Sequence, residues 1–184
     1  MNIQIIIGST RPGRLAKPLA DWFIKNAQKN TKASFELIDL ADFELPLLDE
    51  PTPAGSKKYT KEHTKKWSET ISRADAFVLV TPEYNHGTSA ALKNALDYLY
   101  FEWKYKPVTF LGYGGMGGTR AIEQLISNCV ELNMFPLQKR VHVTEPWSAI
   151  DDNGQVKPEF VKGNIDSTIE ALISVAEATK SLRK

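Results

Sequence analysis

Four isoleucines stand within residues 3–7, interrupted only by Gln4, and the run stops at Gly8. A strand-length stretch with so little polar alternation is covered on both faces, which places it inside a parallel sheet flanked by helices. Two more such runs follow, Ala76-Phe77-Val78-Leu79-Val80 and Pro107-Val108-Thr109-Phe110-Leu111. Helical patterns lie between them. Leu15, Leu19, Phe23 and Ala27 are spaced four apart with Lys17, Asp21 and Lys25 between them, the stripe of a helix laid on a sheet, and Pro18 is tolerated only in its first turn. Residues 35–40 read as a second strand, more polar and so nearer an edge, which makes strand, helix and strand a right-handed crossover.

The remaining chain repeats this alternation. Residues 41–57 hold three prolines and one glycine and form a long connection. From Lys58 a helix carries Tyr59, His63, Trp67 and Ile71 on one stripe, where His63 packs or caps rather than ligates. Ser89 caps a further helix through Leu92, Ala95, Leu96 and Leu99, which leads into Tyr98, Tyr100, Phe101 and Trp103. Thr119 caps a helix bearing Ile122, Leu125 and Cys129, residues 140–143 form a fifth strand at an edge, and Asp152-Asn153-Gly154 marks a turn in an excursion over 145–158. A last helix uses Ile165, Ile169 and Leu172. The expected architecture is one α/β domain over residues 1–184: a doubly wound, five-stranded parallel sheet in the order 2-1-3-4-5 with helices on both faces.

Charge narrows the partners. With 23 basic and 22 acidic residues the net charge is +1, so no general field draws nucleic acid or an anionic membrane, and an anion site has to be local. No apolar run approaches the roughly 20 residues of a membrane span. The single cysteine, Cys129, forms no internal disulfide, and strand-like sequence from the third residue leaves no room for a signal peptide, which together point to the cytoplasm. No C-x-x-C pattern and no His/Glu pair at ligand spacing occur, so no metal site is expected, and neither a G-x-G-x-x-G fingerprint nor a G-x-x-x-x-G-K-[ST] phosphate loop follows the first strand.

Parallel strands share a direction, so the segments leaving strands one, three and four meet on one edge of the sheet. The first is cationic: Ser9 and Thr10 offer hydroxyls, the helix start offers backbone N–H groups, and Arg11 and Arg14 can neutralise a phosphate. The second, Pro82-Glu83-Tyr84-Asn85-His86-Gly87, joins a flat side chain and an amide to exposed backbone, and Glu83 reads as structural rather than as a base. The third holds five glycines between 112 and 118, so the main chain can approach a planar group. A phosphate at one end and a flat hydrogen-bonding ring at the other describe FMN.

Gly8-Ser9-Thr10-Arg11 with Arg14, Pro82-Glu83-Tyr84-Asn85, and Gly112-Tyr113-Gly114-Gly115 with Gly117-Gly118 resemble the NADPH-dependent FMN reductase family, over about residues 1–145. The resemblance implies a flavodoxin-like fold, FMN as cofactor, NADPH or NADH as hydride donor, and a homodimer or homotetramer. By matching position, Ser9, Arg11 and Arg14 hold the phosphate, Pro82, Glu83, Tyr84 and Asn85 line the ring, and Gly114 and Gly115 complete its site. Gly112 departs from the serine expected there. The implied reaction is a ping-pong, two-electron hydride transfer through flavin N5 to a quinone, flavin, azo compound or metal oxyanion, and no side chain is assigned a catalytic role. The two arginines and the near-neutral charge argue against a flavodoxin-type electron carrier, while a flavin-binding sensor is the other non-enzymatic reading. The aromatic surface of residues 89–103 exceeds what one sheet face buries, which points to a subunit interface.

Overall fold

Strands β1 (Asn2–Ile7), β3 (Ala76–Pro82) and β4 (Pro107–Gly114) lie side by side and parallel in a computed structural model that describes residues 1–183. Outside β1 runs β2 (Ser34–Asp39), and outside β4 runs β6 (Val141–Thr144), both parallel to their neighbours. Two short strands complete the sheet: β5 (Phe135–Pro136) pairs with the start of β4, and β7 (Val161–Lys162) runs antiparallel along β6. The order is therefore β2-β1-β3-β4-β6-β7 with β5 off the path, seven strands and not the expected five in the order 2-1-3-4-5. Strands of two residues carry no periodicity to read. One consequence is that residues 141–144 are not an edge, because β7 covers them.

Helices α1 (Ala16–Ala27) and α6 (Ile165–Ala178) pack on one face, and α2 (Glu62–Ser72), α3 (Ala90–Asp97) and α4 (Thr119–Glu131) on the other. A single helical turn, α5 (Pro146–Ala149), follows β6. The alternation of a strand divides each apolar run between the two cores: Ile3, Ile5, Ile7, Val78 and Val80 face α1 and α6, while Ile6, Phe77 and Leu79 face the other three helices. Gln4, the polar exception, is buried with its Nε2 donating to Thr70 O at 2.8 Å and Glu36 Oε2 at 2.9 Å.

Several boundaries move, each for a physical reason. Helix α2 begins at Glu62 rather than Lys58, because the Glu50 carboxylate accepts from the N–H groups of Thr60 and Lys61 at 2.9–3.0 Å and halts the chain just before the helix. Desolvation pushes the Glu50 carboxyl up, but those backbone bonds win and hold it down at about 2. Helix α3 ends at Asp97, and the aromatics beyond it turn inward: Tyr98 and Trp103 are fully buried, the latter 4.9 Å from the ring of Phe77. Intrachain packing thus absorbs most of the aromatic surface that suggested a subunit interface. Thr119 is the first residue of α4 and not its cap, since its hydroxyl donates back to Met116 O at 2.9 Å. Among the described residues no helix is long and apolar enough to cross a membrane.

Candidate functional site

Three chain segments leave β1, β3 and β4 at the same edge and are tied to one another. Gly8 opens the first, and a Cβ there would stand 2.7 Å from Val80 O and 2.8 Å from Leu92 Cδ2, so only glycine lets the strand end lie this close to β3 and α3. Its carbonyl accepts from the Ser89 hydroxyl, which in turn accepts from Leu92 N–H at 3.1 Å and caps α3. Ser9 is fully buried, with Oγ 2.8 Å from the Tyr84 hydroxyl, which joins the first segment to the second.

The arginines of the first segment stand differently. Arg14 donates to Asp39 Oδ2 at 2.6 Å, yet its buried Nε has no acceptor among the described residues. Arg11 is exposed, with one weak bond to Pro12 O at 3.4 Å. Thr10 borders a cavity of about 250 Å³ with Leu40, Leu45, Ala91 and Asn94. At the start of α1 no side chain caps the helix, so its first-turn N–H groups have no side-chain acceptor.

Pro82 belongs to the end of β3 rather than to a loop and pairs with Tyr113 of β4, a place where its missing N–H removes little. Tyr84 and Gly87 exchange backbone hydrogen bonds at 2.9 and 3.0 Å around Asn85 (φ 48°) and His86 (φ 69°), a tight turn with two left-handed residues. Asn85 is exposed on it. Glu83 is tied to α4: one oxygen accepts from Arg120 N–H at 3.1 Å in the first turn of that helix, the other from Arg120 Nε at 2.5 Å. Arg120 Nη1 lies 2.8 Å from His86 Nε2, and because a guanidinium only donates, that imidazole nitrogen accepts. Glu83, Arg120 and His86 form one saturated cluster.

The third segment folds back on β4. A Cβ on Gly118 (φ 71°) would meet Tyr113 N at 2.7 Å, and one on Gly112 would meet Gly117 O at 2.6 Å and Ile122 Cδ1 at 2.7 Å. The glycine at 112, in place of the expected serine, follows from this approach. Gly114 lies against Glu83, 3.4 Å from its Cβ to a Cβ built on the glycine, whereas Gly115 is exposed with open space around it. Sequence reasoning passed over one neighbour of this site. Tyr113, between Gly112 and Gly114, is 6% exposed, and its hydroxyl lies near Ser9, Tyr84, Arg11 and Arg14. Burial and the neighbouring Tyr84 raise its pKa, which keeps it a proton donor.

The donor set fits an anion. Two guanidinium groups, an uncapped helix start and buried donors belong to the first segment and its surroundings, and among the described residues the one carboxylate either guanidinium pairs with is that of Asp39, which takes Arg14. Beside it the turns at 84–87 and 114–118 expose backbone and the half-exposed face of Tyr84.

Residues 1–148 match the NADPH-dependent FMN reductase family. An NAD(P)H-dependent FMN reductase of Schizosaccharomyces pombe is 38% identical over 182 residues, covering 98% of this chain and 86% of that protein. An NADPH azoreductase of a Bacillus species is 37% identical over 147 residues, 75% of each chain. Among solved structures, the flavoenzyme NAD(P)H:acceptor oxidoreductase FerB of Paracoccus denitrificans superposes with a TM-score of 0.68 at 21% identity, covering 98% of this chain and 97% of that one, a likeness of fold. With an α/β sheet that gathers a donor-rich turn beside two backbone-rich turns, and with these relatives, the chain belongs to the NADPH-dependent FMN reductase family.

Proposed function

We propose that this chain is an NAD(P)H-dependent, FMN-containing oxidoreductase that passes two electrons to a small-molecule acceptor: a quinone, a flavin, an azo compound or a metal oxyanion. The observation that carries the reading is the surplus of donors at the turn after β1, set beside the two turns that would receive a ring. Ser9, Thr10, Arg11 and Arg14 would hold the FMN phosphate, and Pro82, Glu83, Tyr84, Asn85, Gly114 and Gly115 would line the isoalloxazine. The relatives named for FMN and azo reduction support the choice of cofactor and acceptor.

Bound FMN supplies the two-electron chemistry between the pyridine nucleotide and the acceptor. The residues of the chain bind and orient. Arg11 and the open start of α1 neutralise the phosphate, and the Ser9–Tyr84 bond couples that anchor to the ring-side turn, so one end of the ligand fixes the other. Glu83 and Arg120 hold the ring-side turn against α4. His86 Nε2 is engaged by Arg120 and is likewise held in place.

The reading extends to the whole of residues 1–184 as one FMN-binding domain and to a cytoplasmic setting, where reduced pyridine nucleotides are at hand. A homodimer or homotetramer is part of it, supported by large apolar side chains left exposed, Leu47 at 82% and Trp147 at 66% among them. Light scattering after gel filtration that returned only monomer would remove this last element. For the function as a whole, the test is the visible spectrum of the protein with FMN, followed by anaerobic NADPH. Bleaching of the flavin band and steady NADPH oxidation on adding a quinone are expected. No FMN binding would end the proposal, and binding without turnover would favour the carrier or sensor.

A further inference from the structure

Tyr113 is a polar side chain in an apolar place. Strand alternation points it to the α1 and α6 side of the sheet, where its companions are Leu111, Val141 and Val143. A phenylalanine would fill that space equally well. The hydroxyl instead reaches the turn after β1, near Ser9 and Tyr84 and within the influence of both Arg11 and Arg14. Ser9 Oγ and Tyr84 Oη pair at 2.8 Å; the buried Tyr113 Oη has Ser9 as its polar neighbour but makes no hydrogen bond within 3.5 Å among the described residues. Arg14 Nε, part of the same group, shares that condition. Buried polar atoms nearly always find partners, so two donors left over at one turn call for an acceptor beyond those the described residues provide.

We propose that Tyr113 is a phosphate ligand of this chain: its hydroxyl donates from beneath the β1 turn to the same phosphate that Arg14 Nε meets, and it selects FMN over flavins lacking that group. The inference rests on the FMN reading above and adds a residue from β4 to a subsite otherwise built from the turn after β1. The two donors differ in kind. A guanidinium contributes charge and serves any anion within reach, whereas a neutral hydroxyl fixed on a strand contributes direction.

The test is Tyr113→Phe, titrated with FMN and with riboflavin by flavin fluorescence quenching and melted without flavin. The expected result is FMN affinity weaker by about tenfold or more, the worth of a hydrogen bond to a charged group, with riboflavin affinity unchanged. The flavin-free variant should melt no lower than the parent, because removing an unsatisfied hydroxyl while keeping the ring costs nothing. Unchanged FMN affinity would overturn the inference and assign the hydroxyl to an ordered water. An equal loss for both flavins would overturn it as well, by showing a distorted pocket, and a lower melting temperature without flavin would reveal an internal partner. A parent protein that binds riboflavin or no flavin, but not FMN, would instead defeat the function proposed above, and this inference with it.

Discussion

Two helices begin at the same edge of the sheet, and they begin differently. Helix α4 starts beneath the carboxylate of Glu83, which accepts from its first-turn N–H and from the side chain of the same residue, Arg120. Among the described residues, helix α1 starts with no side-chain cap, beside Arg11, which is almost unengaged, and two buried donors without acceptors. Both helix starts have the same intrinsic appetite for negative charge. One is satisfied from within the chain and so holds its shape; the other, in the proposed reading, would meet the phosphate of the ligand.

If that contrast is correct, the two sides respond to substitution in opposite ways. Arg11→Ala has the largest expected effect: FMN binding weaker by about 1.5–3 kcal/mol, with folding stability within about 0.5 kcal/mol of the parent. Fluorescence titration and urea unfolding read the two quantities, and a stability loss without a binding loss would reverse the roles assigned to the two turns. Glu83→Gln should do the converse, costing about 1–2 kcal/mol of stability, the value of a cap plus a partly screened ion pair, with a smaller effect on FMN than Arg11→Ala. An FMN loss equal to that of Arg11→Ala would show that the α4 cluster is part of the anion site.

The smallest effect sharpens the comparison with a cap lying outside both turns. Glu50 has its folded pKa lowered to about 2 from an ordinary 4.5, so its contribution is complete above the ordinary value and disappears as pH falls toward the folded one. The carboxylate is on the surface, and Glu50→Gln should therefore cost no more than about 1 kcal/mol at pH 7. Urea unfolding between pH 7 and pH 2 checks this: the difference between parent and variant should shrink on acidification, and a constant gap would separate the bond from the titration.

The apolar runs at 3–7, 76–80 and 107–111 identified the central strands, because a strand covered on both faces has to be apolar along its whole length. The same logic located the three segments at one edge, since parallel strands end together. Where two strands lengthened one another the boundaries were less legible: Thr81 to Pro82 pair with Gly112 to Tyr113, which drew Pro82 and the first loop glycines into the sheet. The two-residue strands at 135–136 and 161–162 left no trace in the pattern, since pairing rather than propensity makes them strands.

From its amino acids in order, this chain shows a doubly covered parallel sheet, a cationic turn after β1 and glycines that let backbone close in, because each is a matter of local pattern or of residue type. Which of those charges is spent and which is free depends on partners far apart in sequence. Asp39 takes part of Arg14, Arg120 engages both oxygens of Glu83, and Tyr113 arrives at the β1 turn from two strands away with no hydrogen bond made among the described residues. Those pairings are set by packing in three dimensions, where a donor is satisfied or orphaned according to what stands within about 3 Å of it, whatever its distance along the chain.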